Sequence, residues 1–238
     1  PYRRFSIPKR TGGERTICAP TEMLRLVQRR ILDEILAPVA VHPAAHGFVP
    51  GRSTVTNAAV HQGAGLLLKF DLTDFFPTIH YFRVAGLFAS LGYAVEYTDS
   101  FMTTSRDDES SVAATLARLC TYAASTWDAA AGFAPQGAPT SPAISNLVCR
   151  RLDARLTGLA SKSGGQYTRY ADDLTFSFPD SDLNIGRFRW WVDQICQQEG
   201  FHINYRKFRA LRNSQRQSVT GIVAVSYTHL TLPTSFLV

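Results

Sequence analysis

Two adjacent aspartates, Asp172 and Asp173, constrain this chain more than any other feature of its sequence. They follow Tyr170 and Ala171 and precede the alternating run Leu174–Phe178. That pattern predicts a β-hairpin with both carboxylates at its tip. Two like charges side by side are costly unless a cation neutralises them, and hard cations such as Mg²⁺ prefer carboxylate oxygen. The hairpin is therefore a candidate metal site, with a solvated acidic turn as the alternative.

A second carboxylate segment strengthens the metal interpretation. The apolar run that starts at Leu66 ends at Asp71, which predicts a buried strand that carries a carboxylate at its end. A two-metal phosphoryl-transfer site needs carboxylates from separate segments to bridge ions about 4 Å apart. Asp71 from the strand, with Asp172 and Asp173 from the hairpin, would supply them. A helix cap or a turn is the alternative role for Asp71.

Six short motifs follow one another along the chain: Ile7–Arg15, Gly47–Ser53, Phe70–Phe76, Pro135–Pro142, Tyr170–Asp173 and Gly200–Lys207. In this order they resemble the motifs of reverse transcriptases, and the resemblance covers residues 1 to about 224. It implies an α+β fold, the polymerase right-hand fold, with fingers and an antiparallel palm sheet packed on helices. It places the fingers at residues 1–66 and the palm at residues 67–224, with a helical insertion at about residues 80–134.

Two further motifs resemble signatures of the retron subgroup of this family. Asn57, Ala58 and His61 match its Asn-Ala-x-x-His pattern, and a Val-Thr-Gly pattern is matched near the end of the palm by Val219, Thr220 and Gly221. The alternative for Asn57 and His61 is a surface pair at positions i and i+4 of a helix, which is common. The alternative for Val219, Thr220 and Gly221 is an ordinary strand end.

The resemblance implies an RNA-directed DNA polymerase of retron type, which transfers a nucleotide from a dNTP to a primer hydroxyl. Its template would be a structured noncoding RNA, and its other partners an RNA–DNA duplex and an effector protein of unknown identity in antiviral defence. One alternative is another bacterial reverse transcriptase, either a group II intron maturase or a phage-defence enzyme. The other alternative is a catalytically silent nucleic-acid-binding module.

Site residues follow from the same resemblance. Asp71, Asp172 and Asp173 would be catalytic and, with the backbone carbonyl of Leu72, would hold two Mg²⁺ ions, with Mn²⁺ as an alternative. The nucleotide-binding residues would be Lys9, Arg15, Arg52, Asp74, Phe75, Phe76 and Gln136. Lys207 would be a general acid toward pyrophosphate. Phe76 would lie under the sugar and clash with a ribose 2′-hydroxyl, with a place in the core as its alternative role.

Charge and cysteine usage narrow the class of protein. The net charge is +6 and the isoelectric point is about 9.3, which favours a polyanionic partner. Basic residues cluster toward the two ends of the chain, as expected for two walls of a nucleic-acid cleft. The four cysteines form no Cys-x-x-Cys pair, which argues against zinc and against a disulfide framework. With no apolar run of about 20 residues, we expect a cytoplasmic protein without a membrane partner.

Apolar periodicity and capping signals predict the helices, which span Thr21–Leu36, Thr54–Gln62, Phe82–Leu91, Val112–Trp127, Ser141–Leu156 and Ile185–Gly200. In the fourth, Leu116, Leu119 and Tyr122 are expected to lie on the buried side. The acidic stretch at Asp107, Asp108 and Glu109 is predicted to be a solvated loop. Residues 225–238 resemble translated adaptor sequence, so we expect a non-native tail on a fragment that lacks the family's thumb.

Overall fold

A computed structural model describes residues 2–8, 12–93, 111–123, 132–180 and 182–224. The chain divides into two compact units, each built from two separate stretches of sequence. Unit 1 comprises Pro1–Ala40 and Phe76–Val148, and unit 2 comprises Val41–Phe75 and Cys149–Val238. The assignment of fingers and palm to particular residues is a functional one and stays a prediction. The predicted tail over residues 225–238 and the acidic loop at residues 107–109 lie outside the described residues.

The described residues form both helices and strands. The helices are α1 (Glu22–Ile31), α2 (Thr54–Ala59), α3 (Tyr81–Ser90), α4 (Val112–Cys120), α5 (Ser141–Val148), α6 (Arg150–Lys162) and α7 (Ile185–Gln198). The strands are β1 (Tyr2–Pro8), β2 (Glu14–Pro20), β3 (Leu66–Asp71), β4 (Gln166–Tyr170), β5 (Asp173–Phe178), β6 (Arg209–Arg212), β7 (Ser218–Val219) and β8 (Ile222–Val223). The predicted α+β class is confirmed. Of the helices described, none combines the length and the apolar character that a membrane span requires.

Unit 1 joins a hairpin to a group of helices. Strands β1 and β2 pair antiparallel, and α1 follows with Thr21 at its N-cap and a π-helical turn over Leu32–Leu36 at its end. Gln28 of α1 is fully buried, and its side-chain amide donates to the Tyr2 hydroxyl and to the carbonyl of Leu119, each at 2.7 Å. This one amide therefore ties α1 to both β1 and α4.

Helix α4 differs from its prediction in length and in the face that it buries. The helix predicted over Val112–Trp127 ends at Cys120, and Tyr122 instead forms a short antiparallel bridge. The side chains that α4 buries are small: Ala113, Ala114, Ala117 and Cys120. Leu116, Leu119 and Tyr122, which were predicted to lie on the buried side, are half-buried. Small residues allow a neighbouring helix to approach closely, which leaves the larger side chains at the edge of the contact.

The helix predicted over Ser141–Leu156 is two helices, α5 and α6. Pro142 lies in the first turn of α5, as predicted, but the backbone breaks at Cys149, where ψ is −2° instead of the helical value near −42°. Neither glycine nor proline marks the break. The other predicted helices are present. Their observed ends differ from the predicted ends by up to three residues, if the π-helical turn is counted as part of α1.

Unit 2 is built on a four-stranded antiparallel sheet with the strand order β4–β5–β3–β6. On one face, Phe176 and Phe178 of β5 pack edge-on against Phe188 of α7, with ring centroids 5.1 Å apart in both pairs. On the other face, Leu67 of β3 packs against a cluster from α2 and the β7–β8 hairpin, formed by Ala58, Val219 and Ile222. Because β3 is covered on both faces, its successive residues Leu66, Leu67 and Leu68 are all apolar.

Candidate active site

The sheet of unit 2 brings the three aspartates together. Asp71 is the last residue of β3 and lies directly opposite Asp173, the first residue of β5, in the antiparallel register. Asp172 occupies the turn between β4 and β5, and its backbone carbonyl accepts a 2.9 Å hydrogen bond from the Leu72 N–H. Two segments that are far apart in sequence thus deliver their carboxylates to one end of the sheet.

The turn that carries Asp172 has an unusual backbone. Ala171 adopts φ of 55°, in the left-handed region that few residues other than glycine occupy. The segment before α2 runs beside this turn, because the Arg169 N–H donates to Ala44 and the His46 N–H donates to Arg169. Gly47 lies so close that a Cβ atom there would be 2.6 Å from the Ala171 nitrogen. A glycine is therefore required at position 47 for the backbones to meet.

Negative charge accumulates at this end of the sheet. Burial and, to a smaller extent, the charge of Asp172 together raise the pKa of Asp173 to about 6, while Lys69 opposes the shift. Lys207 places its Nζ 2.7 Å from Oδ2 of Asp71, and this hydrogen bond raises the lysine pKa. Lys207 therefore neutralises one carboxylate of the group, and a general-acid role for it stays a prediction.

The donor set fits hard divalent cations. Within the described residues, no group of three or more His, Cys, Asp or Glu side chains is gathered closely enough to form a metal cage. The three aspartates offer only oxygen donors, and they bring a local excess of negative charge to one end of the sheet, which Lys207 and Lys69 offset in part. A divalent cation would relieve that excess, and oxygen ligands suit Mg²⁺ and Mn²⁺.

The predicted nucleotide-binding residues of unit 2 have distinct environments. The guanidinium of Arg52 donates to the backbone carbonyls of Pro43 and Ala45, so it fixes the loop before α2. Asp74 is exposed with φ of 46°. Phe75 is buried and stacks on Phe201, with ring centroids 5.8 Å apart. Arg52 and Phe75 thus have structural contacts that the sequence motifs did not indicate.

The remaining predicted nucleotide-binding residues belong to unit 1. Arg15 is exposed on β2, and the carbonyl of Gln136 accepts a 2.8 Å hydrogen bond from the Cys18 N–H of the same strand. The turn at Gln136 is thereby attached to the β1–β2 hairpin. Phe76 is half-buried. Lys9 lies outside the described residues.

The two retron-type signatures meet in space. The Asn57 side-chain amide donates to the Thr220 hydroxyl at 3.4 Å, across 163 positions of sequence. Thr220 and Gly221 have φ of 48° and 83° and form the two-residue turn of the β7–β8 hairpin, where positive φ at both positions is typical of a type I′ turn. Ala58 and Val219 share one apolar cluster. The signatures therefore form one packed unit beside the sheet.

His61 has a separate role within the same signature. It is fully buried, and its two ring nitrogens lie 2.7 Å from the hydroxyls of Thr168 on β4 and Ser177 on β5. Burial lowers its pKa to about 3, with a smaller contribution from His46, so the ring is neutral. His61 therefore links the chain after α2 to both strands of the aspartate hairpin, and it is not a surface residue.

Sequence reasoning missed a buried ion pair beneath the hairpin. Arg169 of β4 donates from Nε and Nη2 to the two carboxylate oxygens of Asp153 on α6, at 2.8 and 2.7 Å. The Tyr167 hydroxyl donates to the same carboxylate at 2.9 Å. Both members of the pair are inaccessible to solvent. The periodicity of α6 and of β4 does not indicate that these two charges are buried, although an arginine in the middle of a predicted hairpin strand is an available signal.

The fold defines the class of protein. Telomerase from Candida tropicalis, in complex with the TWJ fragment of telomeric RNA, aligns with a TM-score of 0.58 and 12% identity, over 100% of this chain and 45% of that one. A foamy viral protease–reverse transcriptase in complex with double-stranded DNA aligns with a TM-score of 0.51 and 15% identity, over 99% and 31%. At such low identity these likenesses show the fold alone, which is the right-hand polymerase fold predicted from the sequence.

The particular family follows from sequence. The chain belongs to the reverse transcriptase (RNA-dependent DNA polymerase) family, whose profile matches residues 7–224. Its relatives include the retron Mx65 reverse transcriptase of Myxococcus xanthus, 43% identical over 93% of this chain and 50% of that protein. The retron Ec73 reverse transcriptase of Escherichia coli is 31% identical over 98% and 71%. The retron subgroup predicted from the signatures is thus confirmed. The chain spans about half the length of the Myxococcus relatives it matches.

Proposed function

We propose that this chain is the catalytic part of an RNA-directed DNA polymerase of retron type. The proposal is carried by one observation: in a chain of the reverse transcriptase family, Asp71 faces Asp173 across paired strands, and Asp172 lies in the adjoining turn. In the reaction, a primer hydroxyl oxygen attacks the α-phosphorus of a dNTP. A new phosphodiester bond forms, the bond to the β-phosphate breaks, and pyrophosphate leaves.

Two Mg²⁺ ions would be held by Asp71, Asp172 and the backbone carbonyl of Leu72, with Asp173 close behind. When bound, such ions lower the pKa of the primer hydroxyl and stabilise the charge of the leaving pyrophosphate. The backbone of Leu72 is well fixed for this purpose, because it bonds to Asp172 on one side and pairs with Ile203 on the other. Lys207 holds the Asp71 carboxylate and limits the repulsion among the three aspartates.

The nucleotide would be bound by cationic and aromatic side chains. Lys9 and Arg15 would neutralise the triphosphate, and arginine suits this task because its planar fork of donors matches phosphate oxygens. Gln136 would hydrogen-bond near the sugar. Phe76 would pack under the sugar and exclude a ribose 2′-hydroxyl.

The template and partners of the proposed enzyme follow from its retron relatives. A structured noncoding RNA would serve as template and primer, the product would be an RNA–DNA duplex, and an effector protein and a role in antiviral defence belong to the same proposal. The basic character of the chain supports a polyanionic partner. An intron maturase or a phage-defence reverse transcriptase has no specific observation in its favour here.

Substitution of Asp172 by Asn tests the proposal in the protein made from the complete gene. The change keeps the side-chain volume and removes a charge that the cations need. We expect dNTP incorporation on a primed RNA to fall on the order of 10³-fold, because metal stabilisation of the transition state is worth several kcal/mol. RNA binding should be unchanged.

The matched control is Asp180→Asn, at an exposed aspartate just beyond the end of β5. This variant also removes one negative charge near β5, and it should leave dNTP incorporation unchanged. Full polymerase activity in the Asp172→Asn variant would eliminate the metal assignment. RNA binding without incorporation by the unmodified protein would favour the silent binding module instead.

A further inference from the structure

The buried pair of Asp153 and Arg169 is linked directly to the aspartate turn. Besides its two bonds to Asp153, the guanidinium donates from Nη1 to the backbone carbonyl of Ala171 at 3.3 Å. That carbonyl belongs to the residue with left-handed φ, immediately before Asp172. One side chain thus joins α6 to the turn that carries the carboxylates.

Stability alone does not explain this pair. Taking two charges out of water is costly, and apolar residues of similar volume in place of a buried ion pair often leave stability unchanged or higher. Removing only one partner is strongly destabilising, because the other charge stays buried without compensation. Buried ionic groups are in some proteins retained because they specify one conformation. The contact with Ala171 indicates which conformation is specified here.

The geometry restricts the guanidinium to one orientation. The carboxylate of Asp153 accepts hydrogen bonds from both Nε and Nη2, and this bidentate contact fixes the plane of the guanidinium. The remaining terminal nitrogen, Nη1, is then directed to the Ala171 carbonyl. The main chain of Arg169 is held as well, by its bonds to Ala44 and His46. Arg169 is therefore immobilised at both its backbone and its side chain.

We propose that Asp153 and Arg169 are positioning residues for the catalytic carboxylates. Asp153 orients the guanidinium of Arg169, which holds the Ala171 carbonyl and thereby fixes the turn at Asp172 and Asp173. The proposal rests on the proposed function of those aspartates as metal ligands. Asp153 and Arg169 are fully buried beneath the hairpin, and Arg169 contacts the Ala171 carbonyl, so both act through the turn.

The test removes the whole polar cluster at once. The triple variant Asp153→Leu, Tyr167→Phe and Arg169→Met replaces all three polar partners by apolar groups and leaves no buried charge. We expect a melting temperature near that of the unmodified protein, in the protein made from the complete gene. Mn²⁺ binding, measured by electron paramagnetic resonance, should weaken at least about tenfold, and kcat for incorporation should fall by a similar factor, equal to about 1.4 kcal/mol.

A second ion pair on α6 provides the matched control. Arg155 pairs with Glu199 at 2.7 Å, beyond the end of α7 and without contact to the turn. The double variant Arg155→Met and Glu199→Leu should leave Mn²⁺ affinity and kcat unchanged. A loss of Mn²⁺ affinity in this control equal to that of the triple variant would overturn the proposal.

The single variant Arg169→Lys gives a second measurement if the triple variant does not fold. A lysine keeps the charge opposite Asp153, but its single nitrogen cannot reproduce the planar fork. Weaker Mn²⁺ binding in folded Arg169→Lys protein supports the proposal, and unchanged binding overturns it. A folded triple variant with normal Mn²⁺ affinity and kcat also overturns the positioning role while the proposed function stands. Absence of Mn²⁺ binding and of incorporation in the unmodified protein would instead overturn the proposed function, and this proposal with it.

Discussion

At the scale of single residues, the two adjacent phenylalanines Phe75 and Phe76 allow the proposed functional role of one to be tested against a structural role of the other. Phe75 is buried against Phe201, whereas Phe76 is half-buried. If Phe76 excludes a 2′-hydroxyl, Phe76→Ala should raise ribonucleotide incorporation relative to deoxyribonucleotide incorporation by on the order of tenfold or more, or about 1.4 kcal/mol of selectivity. The measurement is the ratio of kcat/KM values for rNTP and dNTP.

Phe75→Ala is the natural comparison for this variant. It should lower the free energy of unfolding by about 3–5 kcal/mol through the cavity that it leaves, with no change in sugar preference. An unchanged sugar ratio in Phe76→Ala, together with a similar loss of stability, would assign Phe76 to the core.

His61 makes stability depend on pH. Its pKa is about 3 in the folded protein and near 6.5 when the chain is unfolded, so between these values the unfolded state binds the extra proton. The stability that His61 contributes is complete above pH 6.5 and declines as the pH falls toward 3, by up to about 1.4 kcal/mol per pH unit. Urea unfolding from pH 7 to 4 should show a shallower decline in His61→Gln than in the unmodified protein. Equal slopes would contradict a buried neutral histidine.

At the scale of elements, the close approach of the segment before α2 to the β4–β5 turn can be tested at one glycine. An alanine at position 47 would place its Cβ 2.6 Å from the Ala171 nitrogen, and backbone atoms must then move. We expect Gly47→Ala to lower the free energy of unfolding by about 1–3 kcal/mol, as overpacking does, and to reduce dNTP incorporation because the aspartate turn shifts.

Gly86→Ala in α3 is the control for this substitution, because a Cβ there meets nothing within 4 Å. It should stabilise the protein by up to about 1 kcal/mol through helix propensity and leave incorporation intact. Gly47→Ala protein with unchanged activity and melting temperature would show that the loop and the turn are independent.

The helices and strands also show which parts of the fold could be predicted from the sequence. Strand β3 and the β4–β5 hairpin could be predicted because apolar runs and alternation record burial directly. The buried face of α4 could not be predicted in this way. It is formed mainly by alanines, which contribute little to an apolar pattern although they allow close packing. The break at Cys149 has no glycine or proline to mark it. The contact of Arg169 with Asp153 joins a strand to a helix, and periodicity within one element contains no information about such pairs.

At the scale of the whole molecule, unit 1 depends on residues that are distant in sequence. Its first stretch ends at Ala40, and the buried amide of Gln28 needs the carbonyl of Leu119 from the second stretch. A fragment of residues 1–66 lacks that partner, and a buried polar group without one costs about 1–3 kcal/mol. We expect this fragment to show no cooperative urea transition by circular dichroism, whereas residues 1–224 should show one. Cooperative unfolding of the short fragment would identify residues 1–66 as an independent domain.

The pairing of β3 also sets an order of events during protein synthesis. Its apolar residues Leu66, Leu67 and Leu68 find their sheet partners on β5 and β6, more than one hundred positions further along the chain. While a ribosome makes those residues, at about 5–20 per second, β3 has no strand to pair with for several seconds or more. An unpaired apolar strand is prone to aggregation. The nascent chain therefore passes through a period in which chaperone binding at β3 would protect it, and that period ends only when the aspartate hairpin has left the ribosome.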